Sequence, residues 1–329
     1  MAILKDIAEK AGVSVSTASR ALQNDPRISV NTKNKVTEVA SLLGYAKHKN
    51  KNIPNKNWDS VGLIVPEVLS GYYAQLVHYA NDSFAKNELL TVIKITNFKK
   101  DTMIRHIKSF AKNQVRCLLI IVDDSEELSD DVFSAVSLIK VPIMFITSKY
   151  ISKLDYDNLY VDEHRGITMG LEHLIQKGYK QIGFIGEDQT LGRYHVYNKV
   201  MQSFGMHINK DFIKISKKRA EEGGYYCMKE ILKQNKYPDA IFASYDSMAI
   251  GAIHAIEEAS LRIPEDIAIL GFDDILISKY ISRGLTTIKN PCKDMISIAT
   301  RVLLKRIEQP NLTPQQIALK PLLVVRGTT

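Results

Sequence analysis

Residues 3–45 read ILKDIAEKAGVSVSTASRALQNDPRISVNTKNKVTEVASLLGY, and their spacing predicts three short helices. Leu4, Ile7, Ala8 and Ala11 repeat at i, i+3, i+4 and i+7, which gives a first helix from about Ile3 to Ala11 one apolar face. Gly12 follows, free to take turn conformations that a Cβ would block. Ser14 stands where its hydroxyl can accept a free N–H from the first turn of the next helix. That second helix turns Ala18 and Leu22 inward and leaves Ser16, Thr17 and Arg20 outside. Ser29 is placed to cap a third helix, striped by Val36, Val39, Ala40 and Leu43 and ended by Gly44. Two helices joined by a tight glycine-containing turn and braced by a third form a helix-turn-helix. With Val15, Ser16 and Thr17 at its start, the second helix is slim enough to approach base edges in a DNA major groove. A three-helix bundle with no DNA role would share the periodicity, but turn glycine, caps and polar outer face together favour DNA.

The charge agrees. The chain has 329 residues and a formal net charge of +8. Residues 1–56 carry ten Lys/Arg against four Asp/Glu, so most of the excess lies in the first sixth of the chain. A basic face beside a helix-turn-helix points to phosphate attraction and salt-sensitive binding. There is no apolar run of membrane-spanning length and no signal-peptide pattern, so a cytoplasmic protein with no membrane partner is expected. Cys117, Cys227 and Cys292 show no metal-ligand spacing, and three buried free thiols are expected rather than a metal site.

Residues 46–59, AKHKNKNIPNKNWD, lose the apolar period and read as a linker. From Ser60 onward short apolar runs alternate with longer amphipathic ones. Strands are expected at 61–65, 90–93, 117–122 and 142–146, with helices at 72–86, 104–112 and 131–139 between them. The pattern then starts again at Leu159, with strands at 182–185, 212–215, 240–244 and 267–272. Two successive sets of β-α units predict two similar parallel-sheet lobes, with ligand binding in the cleft outside the strands' carboxyl ends. No nucleotide loop and no nucleophile elbow accompanies them, so no enzyme is expected. The paired acids Asp123-Asp124 and Asp273-Asp274, at strand ends, are read as caps of the helices that follow.

Lys5-Asp6-Ile7-Ala8, Ala11-Gly12-Val13-Ser14, Thr17-Ala18-Ser19-Arg20, Asn24-Asp25-Pro26 and Leu43-Gly44-Tyr45 resemble the N-terminal signature of the lactose/galactose repressor family. The resemblance continues through Glu172-His173-Leu174-Ile175, Ile182-Gly183-Phe184-Ile185-Gly186, Asp246-Ser247-Met248-Ala249, Gly271-Phe272-Asp273-Asp274 and the terminal Leu323-Val324-Val325-Arg326-Gly327. It implies that Val15 and Ser16 read bases and that Thr17, Ser19 and Arg20 touch phosphate or base. Gln23 stands where the family has Asn. In that family the linker folds into a hinge helix on DNA, and a leucine wedges into the minor groove. Here Ile53 is the aliphatic residue near that position, with Pro54 disfavouring helix at Ile53, and Lys47 and Lys49 are candidate phosphate contacts.

The resemblance also implies a periplasmic-binding-protein-like effector domain. Arg193 matches an arginine that donates to sugar hydroxyls, and Asp273 an acid that accepts from them. Tyr245 replaces the family's Asn or Ser, and Arg219 stands where an aromatic stacks on the sugar. A cation gained there suits an anionic or phosphorylated ligand, or else a basic surface loop. The candidate effector set is therefore Tyr72, Arg193, Arg219, Tyr245 and Asp273.

Together these readings give an all-α helix-turn-helix headpiece (1–45), a linker (46–59) and a two-lobed α/β domain (60–329). The expected function is a homodimeric repressor of sugar use, acting on a roughly palindromic operator and switched by a sugar or sugar-derived effector, with no cofactor. The rival readings are control by a partner protein, and a sugar enzyme fused to a DNA-binding domain.

Overall fold

Three helices open the chain: α1 (Leu4–Ala11), α2 (Val15–Leu22) and α3 (Val30–Leu42). Ile7, Ala8, Ala11, Ala18, Ala21, Val36 and Ala40 form their shared core, with Leu4, Leu22, Val39 and Leu43 at its margin. Small alanines on α1 and α2 let the two helices approach closely. Gly12 adopts φ +65° between them, a left-handed conformation that suits glycine. Ser14 Oγ accepts the Thr17 N–H at 3.1 Å, and Ser29 Oγ accepts the Thr32 N–H at 3.3 Å, so both expected caps are made.

In a computed structural model, residues 3–22, 25–43, 59–113, 115–123, 128–151, 154–234, 236–281 and 283–329 are described. They belong to two units, Met1–Asn57 and Trp58–Thr329. The expected end of α3 at Gly44 lies outside the described residues.

The second unit runs β1 (Ser60–Val65), α4 (Gly71–Ala85), β2 (Leu90–Ile95), α5 (Lys100–Lys112), β3 (Cys117–Ile121), α6 (Asp130–Val136), β4 (Ile143–Thr147) and β5 (Asp157–Val161). It continues with α7 (Glu163–Gln176), β6 (Ile182–Glu187), α8 (Leu191–Ser203), β7 (Ile213–Ser216), α9 (Ala220–Leu232), β8 (Ala240–Ala243), α10 (Asp246–Glu258) and β9 (Ala268–Asp273). The last elements are β10 (Thr286–Lys289), α11 (Cys292–Glu308), β11 (Gln316–Leu319) and β12 (Leu322–Val324). One sheet has the order β11-β5-β4-β3-β1-β2, the other β12-β10-β9-β8-β6-β7. All pairings are parallel except β10 with β12. Parallel strands need helical crossovers and are covered on both faces, which is why the central strands read as unbroken apolar runs.

The second set of strands does not begin at Leu159. β5 pairs with β4, Met144 opposite Asp157, and so closes the first lobe. A half-polar strand of five residues gives no periodic sign of which sheet it will join. The expected series of strands also stopped before β10, α11, β11 and β12. α11 returns to the first lobe, where Met295, Ile296, Ala299 and Leu303 share a core with Leu76 and Phe84 of α4. β11 then docks beside β5, and the buried Arg306 on α11 secures it through the Asp157 carboxylate and the Leu312 carbonyl. Cys117, Cys227 and Cys292 are buried free thiols.

Ser14→Ala removes the cap of α2 and is expected to cost the first unit about 1 kcal/mol. Chemical denaturation of the full chain, followed by helical circular dichroism, should show an earlier loss of helix than in the parent.

Candidate functional site

On α2 the inward positions are Ala18 and Ala21, both buried. Val15, Ser16 and Arg20 are exposed, and Thr17 and Ser19 are half-buried. The Ser14 hydroxyl lies 2.9 Å from Ser16 Oγ and 2.8 Å from Thr17 Oγ1, so the cap also orders the two hydroxyls beside it. The outer face of this helix is a short polar ridge with one apolar residue, Val15, at its start. Gln23, Lys47, Lys49 and Ile53 lie outside the described residues.

In the second unit the carboxyl ends of both sheets converge on one cavity of about 80 Å3. That is room for roughly five to eight waters, the scale of a monosaccharide. Its wall is contributed by the strand ends: Asp123 after β3, Thr147 on β4, Glu187 on β6, Asp273 on β9 and Asn290 after β10. Tyr72, Arg193, Arg219, Tyr245 and Asp273 all line this cavity.

Arg193 lies in the first turn of α8. Its Nη1 donates to the Ser244 carbonyl at 2.6 Å, and Nη2 and Nε donate to Glu163 Oε1 at 2.6 and 3.2 Å. Asp273 Oδ1 is 3.6 Å from Nη2, and the guanidinium lies 4.0 Å over the Phe272 ring. A fork of five N–H groups has donor capacity left after these bonds. Burial opposes the charge on Arg193, but Glu163 and Asp273 hold its pKa above the ordinary value. Tyr72, at the start of α4, has its phenol pushed well above the ordinary value by burial and by Cys292, Asp273 and Glu163, so it presents an O–H.

Arg219 and Tyr245 form a second cluster. Arg219 lies 3.3 Å from Glu187 and 3.4 Å from Glu67, with its guanidinium 4.0 Å over the Phe98 ring. Glu67 and Phe98 belong to the first lobe, and Glu187 to the second, so Arg219 spans the cleft. The Tyr245 hydroxyl accepts the Ala220 N–H at 2.8 Å. Ala220 has φ +52°, so the phenol holds a strained turn right after Arg219. Of the basic run 217–219, Lys217 and Lys218 are exposed while Arg219 lines the cavity, where its charge already faces two carboxylates.

Asp123, Glu163 and Glu187 also line the cavity, and sequence reasoning misses them as ligand-facing residues. The position of Asp123 and Glu187 at strand carboxyl ends is the signal that could have found them. Neither Asp123 nor Asp273 caps a helix, contrary to the sequence reading. Asp123 accepts the Tyr73 hydroxyl at 2.7 Å, and Asp273 accepts Asn290 Nδ2 at 2.8 Å. Asp273 sits at φ +109°, and its neighbour Asp274 pairs with Arg326 at 2.6 Å. Asp124 lies outside the described residues. Burial lifts the Asp273 carboxyl to about 8 against the pull of Arg193.

Behind Asp273, the buried Asp246 accepts the Ile275 N–H at 3.0 Å and the hydroxyls of Ser278 and Thr287 at 2.6 Å each. It therefore fixes the turn that leaves the cavity. Gly271 makes room for it, since a Cβ there would lie 2.3 Å from Asp246 Oδ1.

Two family models match the sequence. Residues 3–48 fit the lacI family of bacterial regulatory proteins, and residues 171–329 fit a periplasmic binding protein-like domain. The HTH-type transcriptional repressor PurR of Haemophilus influenzae (strain PittEE) is 30% identical, covering 99% of this chain and 98% of its own. The ribose operon repressor of Escherichia coli (strain K12) is 28% identical over the whole of both chains. A lac repressor dimer bound to operator and the anti-inducer ONPF shares the fold, with a TM-score of 0.73, 22% identity and coverage of 99% and 98%. A helix-turn-helix followed by a two-sheet α/β unit is the build of a DNA-binding transcription regulator rather than an enzyme. The chain belongs to the lacI family of bacterial regulatory proteins. Among the described residues no helix is long and apolar enough to cross a membrane.

Burial raises the Asp246 carboxyl from 3.8 to about 7, with Ser278, Thr287 and Ile275 opposing. The folded chain then keeps a proton that the unfolded chain has released, so stability falls as pH rises from about 4 to about 7. Asp246→Asn is expected to flatten that part of the decline. Asp273 adds a slope of the same sign that the variant keeps. Melting temperatures of both proteins across this range measure the difference.

Proposed function

We propose that this chain is a transcriptional repressor of genes for the use of a sugar or sugar-derived compound, released or engaged by that compound in the cavity of the second unit. The observation that carries the reading is the cavity itself, where a buried arginine fork and the Asp273 carboxyl face a space of monosaccharide size. Such a pair donates to and accepts from neighbouring hydroxyls, the chemistry a polyol needs. The name of the ribose operon repressor among the relatives supports the same substrate class. The proposed division is a headpiece at 1–45, a linker at 46–59 and an effector domain at 60–329, in the cytoplasm.

At the DNA, Val15 and Ser16 meet base edges, while Thr17, Ser19, Arg20, Gln23, Lys47 and Lys49 serve phosphate or flanking contacts, and Ile53 is the minor-groove candidate. A homodimer reading two half-sites is supported by exposed apolar side chains in two places. These are Leu90, Val92 and Ile93 on the edge strand β2, and Leu276, Ile277 and Tyr280 on the turn after β9. The effector shifts operator affinity only by its differential binding to the two lobe arrangements.

Operator-fragment binding at fixed salt, against a panel of sugars, tests the reading. A compound that changes specific binding but not non-specific binding supports it; no response to any compound counts against it. Arg193→Lys keeps a charge opposite Glu163 but loses the fork. It should raise the effector concentration needed about tenfold or more and leave operator affinity unchanged.

The DNA assignments predict a different split. Arg20→Ala should weaken binding to all sequences and lower the salt slope by about one. Ser16→Ala should alter base preference at one position of each half-site. Fluorescence anisotropy with a randomised half-site library, repeated over a salt series, separates the two effects.

A further inference from the structure

Among the described residues that line the cavity, four acids (Asp123, Glu163, Glu187 and Asp273) stand against two arginines, Arg193 and Arg219. At the end formed by Glu187, Arg219 lies 3.3 Å from Glu187 and 3.4 Å from Glu67, and Asp123 adds a further negative charge that acts on it. At the end formed by Asp273, Glu163 and Asp273 share Arg193. Both arginines are thus already flanked by acids, and neither offers a free charge to an anion. Acceptors are in surplus as well. Glu187 is 1% exposed and Asn290 4% exposed, and both line the cavity. Glu187 Oε2 and Asn290 Oδ1 are buried with no hydrogen-bond partner. Buried acceptors left unpaired are costly, more so when charged. A ligand that supplies N–H or O–H donors removes that cost, and one that brings positive charge also offsets the surplus carboxylates. Burial lifts the Glu187 carboxyl above its ordinary value, against Arg219 and Tyr245 and with smaller help from Asp123 and Glu67.

We propose that the effector is an aminated polyol, an amino sugar or a compound of the same chemistry, whose ammonium group seats at the Glu187 end of the cavity between Glu187 and Asp123. This deepens the effector reading above and rests on it. Arg193 and Asp273 hold the hydroxyls at the other end. Glu187 and Asp123 then decide between the amine and its neutral counterpart, and a phosphate in the same place meets carboxylates it cannot approach.

The test is calorimetry on the full chain with glucose, galactose and mannose, each as the parent sugar, the 2-amino-2-deoxy form, the N-acetylated form and the 6-phosphate. The N-acetyl form keeps the nitrogen and removes its charge. In at least one series the amine should bind about tenfold or more tighter than both neutral forms, as charge-assisted hydrogen bonds exceed neutral ones. The 6-phosphate should bind weakest. Glu187→Gln should erase the preference for the amine while the neutral sugar still binds. Asp123→Asn gives the same readout if Glu187→Gln, which also loosens Arg219, fails to fold. A neutral or phosphorylated sugar that binds as well as its amine overturns the proposal and leaves the sugar-effector reading standing. Binding of no compound in any series removes that reading and the proposal with it.

Discussion

A guanidinium taken out of water must meet compensating partners on every side, and Arg193 is where this chain meets that demand. Its four partners come from three places: Glu163 from the start of α7, the Ser244 carbonyl from just after β8, and Asp273 and the Phe272 ring from the end of β9. Removing any one leaves a buried charge short of compensation, which costs several times what an exposed pair contributes. The geometry of the cavity wall is therefore set by the solvation of one cation. Arg219 repeats the arrangement across the cleft with a ring and two acids.

Much of the fold was legible because its signals are local. The helix-turn-helix announces itself through Gly12, the Ser14 and Ser29 caps and the alanines that let α1 and α2 approach. The central strands announce themselves as apolar runs because a parallel sheet is covered on both faces. The assignment of β5 was not legible, since its pairing with β4 depends on what lies beside Asn158 and Tyr160 in space. The same holds for β11, whose place depends on Arg306 reaching an aspartate 149 residues away.

For the cavity, Arg193 and Asp273 were readable from resemblance, but their partner Glu163 was not, because an acid at a helix start has an ordinary explanation as a cap. Tyr245 and Arg219 stood out as separate departures from the family pattern. The hydrogen bond from Ala220 to the Tyr245 phenol joins them into one substitution: the tyrosine holds the turn that presents the arginine. A 26-residue separation in sequence hides that relation. Asp246 is similar, since one buried carboxylate ties the cavity wall at Ile275 to the exposed Leu276–Lys279 turn through bonds that no spacing rule predicts.

The chain passes between the two sheets three times, after β5, after β10 and after β11. Two bodies joined by one strand can swivel, shear and bend. Three side-by-side tethers remove the swivel and most of the shear, leaving rotation about the line through the tethers as the soft coordinate. Whatever fills the space at the strand ends then acts on a single angle, and every element rigidly attached to either sheet reports that angle as a lever whose arm is its distance from the axis.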